Sequence, residues 1–122
     1  MSRARLFRSF AIAGSGFSQA WATQPNLRLE ALLGACALAL AAWLRAPAAP
    51  IVLACVTVIS LELLNSSIEA AVDLVSPDFH PLAGRAKDLA AAAVLTSAVG
   101  AAIVGLLILG PPLLTKLGGA VG

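Results

Sequence analysis

Three long apolar stretches limit, more than any other feature, how this chain can fold. Leu89 to Thr115 carries no charge over 27 positions, Ala46 to Leu61 is also uncharged, and Leu29 to Leu44 holds a single charge. A helix of about 20 apolar residues crosses a bilayer. The 122 residues include only 8 Lys or Arg and 6 Asp or Glu, too few to cover a soluble globule. The sequence therefore predicts an all-α integral membrane protein of one domain, residues 1–122, with transmembrane helices at about 27–44, 47–73 and 87–112.

Positive residues are distributed unevenly between the two sides of these predicted spans. Six lie before the first span or in and directly after the loop at 74–86, and two lie on the other side. Because Lys and Arg accumulate in short cytoplasmic loops, the N-terminus and the 74–86 loop are expected to be cytoplasmic. The net charge of +2 does not indicate a nucleic-acid partner. The six are Arg3, Arg5, Arg8, Arg28, Arg85 and Lys87, and the two are Arg45 and Lys116.

Four polar residues share one face of the second predicted span. On a helix, Asn65, Glu69 and Asp73 lie within about 60° of Glu62. Ionisable groups are costly inside a membrane and usually mark a functional site. We call these four residues the acidic stripe, and we expect the chemistry of the protein to occur along it.

The N-terminal segment, residues 5–22, differs in character from the spans. Phe7, Phe10, Phe17 and Trp21 recur at helical spacing on one side, and polar residues gather on the other. This pattern predicts an amphipathic surface helix in the membrane interface. Periodicity leaves two roles open for this helix, a surface anchor or a flap over the acidic stripe.

The loop after the acidic stripe carries further polar residues. Asp78 and His80 lie within the loop, and Lys87 and Asp88 lie where the third span enters the membrane. Lys87 and Asp88 could simply anchor the helix at the interface. Carboxylates that hold Mg²⁺ and a lysine that meets phosphate are, however, the groups that phosphoryl transfer requires. No phosphate-binding glycine loop and no protein-kinase motif is present in the sequence.

Two other functions are compatible with these residues taken alone. Buried Glu62 and Glu69 could relay protons in a small ion-coupled transporter or channel subunit. Alternatively, small residues such as Gly100 and Gly105 could serve only to pack helices closely. The transporter does not explain why the loop carries Lys87 and Asp88.

Two blocks of the chain resemble one known family. Residues 62–73 (ELLNSSIEAAVD) and residues 79–88 (FHPLAGRAKD) occur in the order and spacing of the prokaryotic diacylglycerol kinases, a family that includes the undecaprenol kinases. The similarity extends over about residues 5–110. It implies a homotrimeric enzyme of the bacterial cell membrane, with active sites shared between subunits. Such an enzyme moves the γ-phosphate of MgATP onto a lipid alcohol.

The resemblance also assigns roles to three residues of the acidic stripe. Glu62 would be the general base that takes the proton of the lipid hydroxyl. Asn65 would orient the substrate or the phosphate beside it, and Glu69 would bind the Mg²⁺ ion that bridges the ATP phosphates. Glu62 lies about 10 Å deeper along the helix than Glu69, so the base would face the lipid and the metal ligand would face the nucleotide.

The loop and the third span receive roles from the same resemblance. Lys87 would contact phosphate, and Asp88 would position it. Asp78 and His80 match loop positions that approach the nucleotide. Residues within the loop and at the start of the third span would thus both take part in catalysis and ATP binding.

One position departs from the family pattern. The family usually carries a second metal-binding glutamate in the turn before the first span, and this chain has Gln24 there. A glutamine offers Mg²⁺ a carbonyl oxygen without a charge, so metal binding is expected to be weaker unless Glu30 compensates. The loop residues look more like the undecaprenol kinase branch, but diacylglycerol remains an alternative substrate.

Overall fold

The computed structural model describes residues 1–121, which form four α-helices. Their order is α1 (Arg3–Thr23), α2 (Pro25–Leu44), α3 (Ala49–Val75) and α4 (Pro81–Val121). Three helices are long and apolar enough to cross a membrane: α2, α3 and the part of α4 from Pro81 to Gly119. The prediction of an all-helical chain with three long apolar helices is therefore confirmed.

The first two helices are separated by one residue, Gln24, which has an extended backbone. Pro25 begins α2, at a position where its missing N–H would have had no helical partner. Arg28 reaches back and donates a hydrogen bond of 3.0 Å to the carbonyl oxygen of Trp21 in the last turn of α1. A cation at a helix C-terminus is favourable because carbonyl groups there lack backbone donors. This contact links the last turn of α1 to the first turn of α2.

A tight turn reverses the chain between α2 and α3. Arg45 adopts a left-handed conformation (φ 55°, ψ 34°), and the Ala46 amide donates to the Ala41 carbonyl at 2.9 Å. This pairing, with the Arg45 amide bonded to Ala42, is the Schellman pattern that ends many helices. It makes α2 and α3 antiparallel neighbours.

The connection between α3 and α4 is shorter than the predicted loop at 74–86. Helix α4 begins at Pro81 instead of near residue 87, so only residues 76–80 connect the two helices. The reason is local: the Leu82 amide donates to Nδ1 of His80 at 3.1 Å, and His80 thereby caps the first turn. At its other end α4 continues to Val121 through Pro111 and Pro112, beyond the predicted end at 112.

The packed core is small and lies towards the end of the bundle opposite the α3–α4 loop. Ala41, Ile51 and Leu109 form a buried cluster there. At the same end Lys116 lies 4.0 Å from the centre of the Trp43 ring and donates to the Trp43 carbonyl at 3.4 Å. Many large apolar side chains remain exposed on the helices, as expected where hydrocarbon instead of water surrounds them.

Candidate functional site

The acidic stripe lies along α3, and its deepest member is buried. Glu62 has only 4% of its surface exposed. One turn further, the Asn65 amide donates a long hydrogen bond of 3.5 Å to Oε1 of Glu69. Asn65 and Glu69 therefore contact each other on the helix face that also carries the buried carboxylate of Glu62.

A third carboxylate, Glu30, reaches this region from α2. Its Oε2 atom is buried and has no hydrogen-bond partner among the described residues, and the same holds for Oδ1 of Asn65. Glu62 interacts electrostatically with both Glu30 and Glu69. Ionisable groups that cluster within spanning helices usually mark a functional site. Sequence reasoning had named Glu30 only as a substitute for Gln24.

The oxygen atoms at this site suit Mg²⁺ but do not enclose it. No group of three or more His, Cys, Asp or Glu side chains is placed to hold a metal ion within the part of the chain that the structure describes. Mg²⁺ commonly binds through one or two carboxylates together with phosphate oxygens and water. Glu69 and the unpartnered Asn65 oxygen fit that mode, in which a nucleotide supplies the remaining ligands.

Lys87 and Asp73 join the two ends of the α3–α4 connection. The ammonium group of Lys87 contacts Oδ1 of Asp73 as an ion pair, with side chains 38% and 63% exposed. The sequence places Asp73 on the acidic stripe but indicates no role for it. The antiparallel course of α3 and α4, which a short loop requires, could have indicated this partner.

A cavity of about 180 Å³ lies beside this ion pair. It brings together Asp73, Asp78, His80 and Lys87. Since His80 accepts the Leu82 amide at Nδ1, its neutral ring carries the proton on Nε2 and can donate from there. The cavity thus presents an ammonium group and an imidazole donor, which are groups that bind phosphate. Asp88 is exposed on α4 and does not line this cavity.

Gln24 lies in a different groove. This groove, about 700 Å³ between α1 and α3, is lined by Gln24, Thr23, Ser66 and Ser67 among others. Glu69 does not line it. Within a single chain, this groove therefore contains only one of the two residues expected to hold metal.

Comparison with known proteins identifies the family. Residues 11–109 match the family described as prokaryotic diacylglycerol kinase. The chain is 43% identical to a diacylglycerol kinase of Synechocystis over 116 residues, which cover 92% of this chain and 66% of that protein.

Two further relatives are covered along most of their own length. Identity is 42% to an undecaprenol kinase of Bacillus subtilis over 118 residues, 89% of this chain and 91% of that protein. It is 35% to a diacylglycerol kinase of Escherichia coli K12 over 102 residues, 81% of this chain and 84% of that protein. All three relatives carry kinase names, so the alternative of an ion-coupled transporter has no support. The chain belongs to the prokaryotic diacylglycerol kinase family of lipid kinases.

Proposed function

We propose that this protein transfers the γ-phosphate of ATP, in the presence of Mg²⁺, to the hydroxyl group of a membrane lipid. One observation carries the proposal. A buried carboxylate, Glu62, lies on the same helix face as the Asn65–Glu69 pair, and that helix ends at the Asp73–Lys87 ion pair. Family membership supports it independently.

In the proposed reaction Glu62 accepts the proton of the lipid hydroxyl. The hydroxyl oxygen forms a bond to the γ-phosphorus while the bond from that phosphorus to the β–γ bridging oxygen breaks, and ADP leaves. Glu62 suits this role because it is 4% exposed and follows an uncharged stretch of a spanning helix. At that depth it can meet a hydroxyl group that stays in the bilayer.

Asn65 and Glu69 act one and two turns from Glu62. We assign Glu69 as a metal ligand and Asn65 as the amide that orients both Glu69 and the transferred phosphate. Mg²⁺, when bound, neutralises charge on the phosphate oxygens. The long hydrogen bond from Asn65 to Glu69 places the amide next to the proposed ligand oxygen.

The α3–α4 connection binds the nucleotide in this proposal. Lys87 contacts a phosphate oxygen, and Asp73 aims its ammonium group into the cavity that Asp78 and His80 also line. Asp88, on the exposed side of α4, positions Lys87 or contacts the nucleotide of a neighbouring subunit.

A homotrimer with shared active sites accounts for the position of Gln24. Gln24 lines a groove within one chain that Glu69 does not line, and a metal ion bound by both at a subunit boundary would agree with this. The exposed rings of Phe7 and Phe10 on α1 support its placement in the membrane interface. The excess of Lys and Arg on one side supports a cytoplasmic N-terminus and a cytoplasmic α3–α4 loop.

Both undecaprenol and diacylglycerol are candidate acceptors, since relatives of similar identity carry each name. The test is purified protein in mixed micelles with radiolabelled ATP, offered each lipid in parallel over a wide range of Mg²⁺. We expect one labelled lipid phosphate, and we expect Glu62→Gln to lower the rate of its formation by a factor of about 10² to 10⁴. The variant Cys36→Ser, changed at an exposed residue of α2, is the control. Labelling of neither lipid by the unmodified protein would overturn the proposal.

A further inference from the structure

Leu27, in the first turn of α2, is the one large side chain that is fully buried in the part of the chain that the structure describes. Its sequence neighbours Asn26 and Arg28 are exposed, and Leu29 is 54% exposed. The burial therefore belongs to this one side chain and not to the end of α2 as a whole. An apolar residue placed in this way needs a reason beyond general packing.

Leu27 lies between Glu30 and the nucleotide side of the protein. The two residues are three positions apart, so they share one side of α2 and are separated by about 4.5 Å along its axis. The end of α2 at Pro25 is the end nearer to the α3–α4 connection, because Ala41 belongs to the core at the opposite end. Glu30 interacts electrostatically with Glu62. A molecule that moved along α2 from the nucleotide side would therefore meet Leu27 before it reached these two carboxylates.

Helix α4 carries a second buried apolar residue on the same side of Glu62. Ala90 lies three residues beyond Lys87 along α4 and is 8% exposed. Lys87 pairs with Asp73, and Glu62 lies eleven residues before Asp73 on the antiparallel helix α3. Ala90 therefore lies between the nucleotide cavity and the depth of Glu62. We call Leu27 and Ala90 the apolar collar.

The apolar collar is separate from the packed core. The other buried apolar residues of the described chain lie beyond Glu62, on the side away from the α3–α4 connection. They are Ala41, Ile51, Val58 and Leu109. On the nucleotide side of Glu62, the collar supplies the buried apolar side chains that exclude water.

Water is the natural competitor of a lipid hydroxyl group in phosphoryl transfer, since both present an O–H group to a base. If water reached Glu62, its oxygen would form a bond to the γ-phosphorus while Glu62 took its proton. The bond from that phosphorus to the β–γ bridging oxygen would break, and ADP and inorganic phosphate would leave. The same base would then consume ATP without modifying a lipid.

We propose that Leu27 determines which acceptor is used, by keeping water of the nucleotide side away from Glu62. The inference rests on the lipid kinase activity proposed above. The two acceptors arrive from different directions: the lipid hydroxyl group comes from the bilayer, whereas water comes from the nucleotide side and must pass the apolar collar. A closed site of this kind suppresses hydrolysis as a side reaction. Leu27 is thus a specificity-determining residue that does not itself touch the transferred phosphate.

The test compares ATP hydrolysis with lipid phosphorylation in Leu27→Ala. Purified protein in phosphatidylcholine–detergent micelles is given MgATP, and inorganic phosphate is measured without lipid alcohol and then with it. We expect ATP hydrolysis to rise about tenfold and the ratio of lipid phosphate to inorganic phosphate to fall. Leu29→Ala removes the same atoms from an exposed side chain of α2 and should leave both rates unchanged. Leu27→Met conserves the volume and should keep hydrolysis low.

A double variant connects the hydrolysis to Glu62. In Leu27→Ala/Glu62→Gln, the hydrolysis gained by the first change should be lost, because the base that activates water is removed. A purely structural effect of Leu27→Ala would instead lower hydrolysis and lipid phosphorylation together. If Leu27→Ala does not fold, Leu27→Val opens a smaller gap and is expected to raise hydrolysis in the same direction.

Four results would overturn the inference while the proposed kinase activity still stands. Leu27→Ala, or Leu27→Val in its place, could leave hydrolysis at the level of the unmodified protein. Leu29→Ala could raise hydrolysis equally. Both rates could fall together in Leu27→Ala. Hydrolysis could persist in the double variant, which would mean that water reaches the phosphate by a route that does not involve Glu62. Absence of lipid phosphorylation by the unmodified protein is a different result and overturns the proposed function itself.

Discussion

Lys87 of α4 forms an ion pair with Asp73 of α3, across the short connection between the two helices. Both side chains are partly exposed, so the pair adds little to stability. Its effect is directional: the ammonium group is held at the end of the acidic stripe and at the edge of the cavity that His80 also lines. The carboxylate of Asp73 thus continues the line of Glu62 and Glu69 towards the α3–α4 connection.

Lys87→Met should lower kcat/KM about a hundredfold or more, since it removes a cation from the transferred phosphate. Arg85→Met is the matched control. Arg85 is an exposed cation two residues away that does not line the cavity, and its loss should change activity little. Initial rates at varied ATP measure both. Equal losses in the two variants would contradict a specific role for Lys87.

Asp73→Asn should have a milder effect, because the lysine remains but loses the partner that aims it. We expect KM for ATP to rise about fivefold, which corresponds to about 1 kcal/mol. Thermal unfolding in detergent should move little, since the ion pair is exposed. An unchanged KM would show that the pair does not orient Lys87.

Glu62→Gln and Glu69→Gln make the same chemical change two turns apart on α3, and they should have different consequences. Loss of the base should lower kcat by a factor of about 10² to 10⁴ without altering the Mg²⁺ concentration needed for half-maximal rate. Loss of the metal ligand should instead raise that concentration. Matching Mg²⁺ profiles in the two variants would contradict the division of roles between Glu62 and Glu69.

Gln24→Glu should strengthen metal binding, because it adds a charged oxygen where an amide now stands. The half-saturating Mg²⁺ concentration is expected to fall, and so is the dissociation constant for Mn²⁺ measured by electron paramagnetic resonance in the presence of ATP. Gln19→Glu, in the same groove, serves as the charge control. Indistinguishable metal affinity in Gln24→Glu and the unmodified protein would place position 24 outside the metal site.

Gly34 lies where α2 closely approaches the Cys55 side chain of α3. A Cβ atom at position 34 would lie 3.0 Å from Sγ of Cys55, whereas one at Gly100 would meet no atom within 4 Å. Relative to Gly100→Ala, we expect Gly34→Ala to lose about 1–3 kcal/mol by overpacking, seen as a lower midpoint of thermal unfolding in detergent. The double variant Gly34→Ala/Cys55→Ala should recover most of the loss. Failure to recover would mean that the sulfur is not the obstacle.

The three membrane helices and the acidic stripe were predictable because each depends on local sequence. Uncharged stretches such as Leu89 to Thr115 predict helices that span a membrane and argue against a soluble fold. Helical periodicity places Glu69 beside Asn65 on α3. The helix ends were less predictable. The sequence places Pro81 in a loop, but proline is also favourable at the first position of a helix. In the structure α4 begins at Pro81, and the His80 side chain caps its first turn.

Contacts between helices were decided only by the tertiary structure. The sequence by itself determined that Glu62, Asn65, Glu69 and Asp73 share one face, since helix geometry relates residues of one segment. It could not determine that Glu30 lies near Glu62, that Lys87 pairs with Asp73, or that Gln24 lines a groove between α1 and α3. Those relations depend on how α2 and α4 pack against α3. Apolar surfaces of Ala, Leu and Val pack in many registers with similar energy, and the tertiary structure selects one of them.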